Sequence, residues 1–182
     1  MAVIETIATT YLEADAASVT FSSLGSYEHL RLSVTAKEEN SAADRSAFGI
    51  RFNGDTGTNY GYVHFMGGLN TSATASSYTD ADTNDLIYIQ YGLVGGESGT
   101  ESFYSAATVD ILDYRNTSKN TAVSYAVGWG GQTATPRGAC GFGGDFWDST
   151  AAVTSITVVG NPYYSLDFVR GSVFTLYGLN SS

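Results

Sequence analysis

Two histidines and two pairs of closely spaced carboxylates are the residues whose types suggest catalysis in this sequence. His29 and His64 could each act as a general base, and a serine hydrolase needs such a histidine beside its nucleophile. Both stand in alternating, strand-like sequence, and residues 95–99 lack the spacing of a nucleophile elbow. We therefore expect both histidines to be structural or surface residues.

The carboxylate pairs are Asp110 with Asp113 and Asp145 with Asp148. A glycosidase needs two carboxyl groups a few ångströms apart across a cleft, and closeness in the sequence does not establish that geometry. A polysaccharide depolymerase is thus an alternative that rests on fold analogy alone. The sequence predicts no catalytic residue, and we expect no enzymatic activity.

An acidic run at residues 80–85 places oxygen ligands at alternate positions, which suits Ca²⁺. An EF-hand loop would need glycine where Asp85 stands and glutamate where Tyr91 stands. We interpret the run as a solvated acidic turn, and we interpret residues 53–57 first of all as a turn. The glycine-rich stretches lack the lysine of a phosphate-binding loop, so the sequence predicts no cofactor and no metal site.

Composition limits the partners of the chain. Its 182 residues are 43% hydrophobic and only 14% charged, which favours one folded domain over residues 1–182. The formal net charge is −10 and no basic run occurs, which disfavours nucleic acid and anionic membranes as partners. Cys140 is the single cysteine, so no internal disulfide forms. Without a signal sequence or a long apolar run, we expect synthesis in a cytoplasm without export.

A period of two dominates the chain and predicts an all-β fold, a jelly-roll-type sandwich of two sheets with about eight to ten strands. Helix signals are thin, and residues 38–46 form either one short helix or a polar loop. Turn residues are expected at 53–55, 80–85, 95–96, 116–120, 130–131 and 161–162. The predicted strands cover residues 3–11, 18–24, 29–35, 48–52, 60–65, 86–93, 107–114, 122–129, 153–159 and 173–179.

Two segments carry the candidate contact residues. Residues 1–16 are a possible N-terminal arm or strand, which either pairs within its own sheet or reaches a neighbouring subunit. Residues 138–147 are rich in glycine and aromatic residues, which fits either a loop or strand edge or a contact surface. The candidate interface residues are Val3, Ile4, Ile7, Tyr11, Phe142, Phe146 and Trp147.

Four segments resemble a family of bacteriophage virion proteins. Residues 51–60 read R-F-N-G-D-T-G-T-N-Y, which is similar to that family's signature. Residues 16–32 resemble its opening strands, residues 113–119 its D-Y-x-N-x-x-K turn, and residues 172–179 its closing strand. The likeness runs over nearly the whole chain in the right order, although residues 69–105 carry no family mark and Gly61-Tyr62 replaces a common tryptophan.

This resemblance implies β-sandwich modules of capsid decoration (cement) proteins and of tail-fibre tips, without catalytic residues. The chain shows no heptads or repeats, so it resembles a decoration protein more than a fibre. We therefore expect a homotrimer that binds the major capsid protein on the outer surface of the virion. The alternative is a tail-fibre or receptor-binding module that recognises a host glycan through exposed tyrosine and tryptophan, Trp147 in particular.

Overall fold

The computed structural model describes residues 3–39, 45–69, 73–94, 103–130, 138–161 and 165–180. These ranges contain twelve β-strands and no helix. In chain order they are β1 (Val3–Tyr11), β2 (Ser18–Phe21), β3 (His29–Ala36), β4 (Arg45–Phe52), β5 (Tyr60–Leu69), β6 (Ala73–Asn84), β7 (Ile87–Val94), β8 (Ser105–Leu112), β9 (Thr121–Gly130), β10 (Gly138–Trp147), β11 (Ile156–Val159) and β12 (Val173–Asn180). No helix of the described chain is long and apolar enough to cross a membrane.

The strands form two sheets that pack face to face. The larger sheet has the order β1-β12-β3-β8-β9-β10-β5-β6 and the smaller one β2-β11-β4-β7. Every paired strand runs antiparallel to its neighbour. The prediction of an all-β, two-sheet sandwich is therefore confirmed, with twelve strands in the described residues instead of eight to ten.

Two strands were missed in the sequence and account for the higher count. β6 includes residues 80–84, so the predicted acidic turn at 80–85 is wrong and only its last residue, Asp85, leaves the strand. β10 covers the glycine-rich segment 138–147, which is neither a loop nor a strand edge because it pairs with β9 on one side and β5 on the other. Hydrogen bonding to two neighbours makes a strand of a segment whose own residues favour turns.

The sequence allowed either a short helix or a polar loop at residues 38–46. The structure describes only the two ends of this segment. Glu38 forms an isolated antiparallel bridge with Phe168, and Arg45 and Ser46 begin β4. Residues 40–44 lie outside the described part of the chain, as do the predicted turn at 95–96 and parts of those at 130–131 and 161–162.

An apolar core fills the space between the sheets, because alternate residues of each strand point inward. Most of its fully buried residues come from β3, β8 and β12 of the larger sheet and from β4, β7 and β11 of the smaller one. Fully buried members are Leu30, Leu32, Val109, Ile111, Phe174, Leu176, Phe48, Ile50, Phe52, Ile87, Ile89, Ile156 and Val158.

The N-terminal strand belongs to the sheet of its own chain. β1 pairs with β12 from Val3 opposite Asn180 to Tyr11 opposite Val173, with a bulge between Thr6 and Ala8. It is the edge of the larger sheet, so its other side has no strand beside it among the described residues. A bulge on an edge strand is a common feature that discourages uncontrolled pairing.

Candidate functional site

Residues 51–60, which resemble the signature of the bacteriophage family, form a turn that links β4, β5 and β10. The Asp55 carboxylate accepts hydrogen bonds from Trp147 Nε1 at 2.8 Å, Asn59 Nδ2 at 2.9 Å and the Gly57 amide at 2.8 Å. These donors hold the pKa of Asp55 below its ordinary value, with Asn59 as the largest cause. Through these hydrogen bonds Asp55 anchors β10 to the β4–β5 turn.

Asn53 fixes the same turn from the other side. Its backbone is in the left-handed region with a φ of 55°, which asparagine tolerates well. Its Oδ1 accepts hydrogen bonds from the amides of Thr154 at 2.7 Å and Ser155 at 3.2 Å, and its Nδ2 donates to the carbonyl of Ala152 at 2.9 Å. The side chain therefore positions the residues that lead into β11.

The turn at residues 113–119 is also structural. Asp113 forms an ion pair with Lys119, which holds the pKa of the Asp113 carboxyl below its ordinary value. Tyr114 is buried, and its hydroxyl donates to the carbonyl of Gly25 at 2.9 Å. The turn thus ties β8 and β9 to the segment between β2 and β3.

Glu28, His29 and Asp113 bring their ligand atoms within 4.8 Å of one another. His29 Nδ1 accepts a hydrogen bond from the Asp113 amide at 3.0 Å, and the Asp113 carboxylate is paired with Lys119. Two of these three groups thus already take part in hydrogen bonds or ion pairs within the turn. The two histidines lie apart, since His64 belongs to β5 and is buried.

The candidate carboxylate pairs do not converge on a cleft. Asp110 binds Arg31 in a two-pronged ion pair with distances of 2.6 and 2.8 Å, whereas Asp113 faces Lys119. Asp145 is buried inside the sandwich, whereas Asp148 is exposed and accepts a hydrogen bond from Asn120. Asp110 and Asp113 therefore pair with different cationic side chains, and Asp145 and Asp148 differ in their burial.

The inner face of β9, β10 and β5 carries an unusual set of polar groups. Tyr125 lies opposite Gly143, which lies opposite His64, and Asp145 lies opposite Tyr62. The rings of Tyr62 and His64 stack with centroids 4.9 Å apart. Because a Cβ on Gly143 would come within 2.5 Å of the Tyr125 ring, the glycine makes room for that ring.

The outer face of the same three strands is uncharged and partly apolar. Val63, Phe65 and Phe142 are exposed, with Phe142 at 63%, and the two phenylalanine rings stack at 5.6 Å. We call this surface the aromatic face. Its alternating positions are Ala122, Ser124, Ala126, Gly128, Cys140, Phe142, Gly144, Phe146, Gly61, Val63, Phe65 and Gly67, and none of them is charged.

The structure separates the predicted interface residues into accessible and buried groups. Val3, Ile4 and Tyr11 are exposed at the edge strand, with Ile4 at 60%, whereas Ile7 packs partly against the core. Phe142 is exposed and Phe146 is partly buried. Trp147 is only 3% exposed, stacks on Tyr60 and donates to Asp55, so its expected role as an exposed anchor is wrong.

Val63 and Phe65 were missed as surface residues by sequence reasoning. Their alternation with Tyr62 and His64 correctly predicts a strand, but an alternating pattern does not say which of its faces points inward. The apolar members would ordinarily be assigned to the core. The burial of His64 and the exposure of Phe65 reverse that assignment.

Comparisons with known proteins add little to this geometry. No family model and no curated protein matches the chain. A solved structure titled "Structure of infectious bursal disease virus Gx strain" aligns with 98% of this chain and 39% of that chain, at 13% sequence identity and a TM-score of 0.12. The chain thus spans well under half of the viral chain, and a similarity of this size supports no conclusion about fold or function.

Proposed function

We propose that this protein is a virion structural protein of a bacteriophage, a decoration protein that binds the outer surface of the capsid. The observation that carries the proposal is the aromatic face, an uncharged and partly apolar surface on a sheet of a chain whose net charge is −10. Interface centres are depleted of charge and enriched in aromatic residues, and contiguous exposed apolar patches mark binding sites.

A second apolar group lies at the opposite side of the larger sheet. Ile4 and Tyr11 of β1 are exposed there, five strand positions from β10 in the sheet order, which corresponds to about 24 Å at ordinary strand spacing. Two separated apolar patches on one sheet suit simultaneous contact with two neighbours. Weak contacts of this kind add up when several are made by one trimer on a capsid.

The experiment measures how much of the purified protein binds to capsids that lack it. We expect Phe65→Ser and Phe142→Ser together to reduce occupancy at least tenfold while the circular dichroism spectrum stays unchanged. Tyr104→Ser is the matched control, because Tyr104 is an exposed aromatic residue that precedes β8 and lies outside the aromatic face. Unchanged occupancy of the double variant would refute this assignment of the surface.

The edge strand is tested with point substitutions because its deletion would also disturb folding. Ile7 and Ala8 pack against the core, so removal of β1 changes stability as well as contacts. Ile4→Thr with Tyr11→Thr keeps the strand and alters only its exposed side chains. Reduced occupancy supports the edge strand as a second contact.

The copy number in purified particles separates capsid from tail, since a decoration protein is present in many copies and a tail-tip protein in few.

A receptor-binding module is the second candidate, and one observation favours it. A shallow pocket of about 280 Å³ combines aromatic, acidic, basic and amide side chains, a mixture that suits a sugar. Its lining residues are Tyr27, Glu28, Asp113, Arg115 and Asn116. Binding on a glycan array that Arg115→Ala abolishes and the exposed control Arg170→Ala preserves would favour this function over the capsid.

A further inference from the structure

Asp145 is a buried carboxyl group near the end of β10, an interior strand of the larger sheet. Its strand, β10, is paired on both sides, and its side chain is 4% exposed. The amide of Val63 faces it, but neither carboxylate oxygen has a hydrogen bond of ordinary geometry within the described residues. A charged carboxylate in such a place would lose its hydration without compensation.

No lysine or arginine lies among the described groups around Asp145. The described titratable side chains on the neighbouring inner positions are Tyr125 of β9 and Tyr62 and His64 of β5, and Tyr88 of β7 contacts Tyr62 at 6.3 Å. The Tyr125 hydroxyl is buried without a hydrogen-bond partner among the described residues. Since none of these groups is a lysine or arginine, the surroundings favour the neutral carboxyl.

The electrostatics agree with this geometry. Burial raises the pKa of Asp145 to about 8, and the same burial, with Asp145 as a second cause, raises the pKa of Tyr125. When the segment opens to water, the carboxyl returns to its ordinary pKa of about 4. Closing is therefore coupled to the uptake of a proton over the pH range between these two values.

We propose that a proton on Asp145 locks β9, β10 and β5 together, and that its loss lets water enter this part of the sandwich. The group's pKa is higher in the closed state, so the lock contributes its full stability below about pH 4 and loses it progressively up to about pH 8. Above that pH both states are ionised and no further loss occurs. The inference concerns the inner face and is independent of what binds to the outer one.

Hydrogen exchange of the full chain tests the lock, with opening constants corrected for the intrinsic effect of pH. For amides of β5 and β10, we expect opening to increase with pH between about 5 and 8, by up to tenfold per pH unit, and then to level off. Amides of β3 and β8, whose inner residues are apolar, should show a much weaker increase. Ionisation of a buried neutral histidine in acid would give the opposite slope.

Two further measurements identify the group. Asp145→Asn keeps the size of the side chain without a titrating proton, and it should remove the increase at β5 and β10. Asp113→Asn is the control, a carboxyl whose pKa is lowered by Lys119, and it should leave the increase unchanged. Carbon NMR of the wild-type Asp145 carboxyl should show a midpoint near pH 8. A midpoint near 4, or the same slope in Asp145→Asn, would overturn the proposal.

Discussion

The larger sheet contains two regions whose strands alternate in opposite senses. In β3 and β8, Leu32 and Val109 point into the core while the ion pair between Arg31 and Asp110 lies outside. In β5 and β10 the polar residues His64 and Asp145 are buried, whereas the phenylalanines Phe65 and Phe142 are exposed on the outer face. The same backbone architecture therefore carries an ordinary and an inverted pattern of side chains.

The two regions contribute differently to the protein. The β3–β8 region stabilises the sandwich, whereas the β5–β10 region carries its exposed aromatic surface. The β3–β8 region follows the usual rule of apolar inside and polar outside, and its inner residues share one continuous core with those of the smaller sheet. The inverted region departs from the rule on both faces at once. Departures from local rules are expected where a protein binds or switches, because folding alone gives no reason for them.

The residues of the R-F-N-G-D segment lie at the border of the two regions. Tyr60 and Trp147, the first residue of β5 and the last of β10, stack on each other and pack against Phe52 of the ordinary core. Asp55 holds the indole of Trp147 at 2.8 Å. The inverted strands are thus fastened at one end, which keeps the aromatic face in a fixed orientation.

The largest contrast is expected for the same substitution made in each region. Phe48→Ala removes a fully buried ring from the ordinary core and should lower the free energy of unfolding by about 3–5 kcal/mol. Phe142→Ala removes an exposed ring from the aromatic face and should cost less than about 1 kcal/mol. Urea denaturation of both variants measures the difference, and equal losses would mean that Phe142 is covered in the native state.

Two neighbouring glycines of β10 give a smaller but sharper contrast. Gly143→Ala places a methyl group within 2.5 Å of the buried Tyr125 ring, so we expect a loss of about 1–3 kcal/mol. The methyl group of Gly144→Ala has no other atom within 4 Å on the outer face, so this variant should be neutral or slightly more stable. Thermal unfolding monitored by circular dichroism separates them, and similar melting temperatures would show that the Tyr125 ring yields without cost.

The sequence was sufficient to predict the fold class and ten of the twelve strands, because those strands are built from alternating β-branched, aromatic and leucine residues. It was insufficient for β6 and β10. β6 contains Asp80 and Asp82 in a run that resembles a turn, and β10 contains Gly141, Gly143 and Gly144. Their strand conformation comes from pairing with β5, a property of the neighbours that no single segment records.

The candidate site was predicted only in part for a related reason. Phe142 and the exposed residues of β1 stood out through their chemistry, whereas Trp147 was misplaced because a tryptophan is equally suited to an interface and to a core. What decides its position is the carboxylate of Asp55, which is 92 residues away in the chain. The unusual state of Asp145 depends likewise on Tyr62 and Val123, which only the sheet register brings beside it.

The smallest expected effect concerns the polar outside of the ordinary region. Arg31 and Asp110 form a two-pronged ion pair whose side chains are 41% and 26% exposed, so water screens much of their attraction. A double-mutant cycle with alanine at both positions should give a coupling energy of about 0.5–1 kcal/mol that falls in molar salt. Asp145 differs because water cannot reach its carboxyl group. A coupling well above this range, or one insensitive to salt, would mean that a partner covers the outer face of β3 and β8 as well.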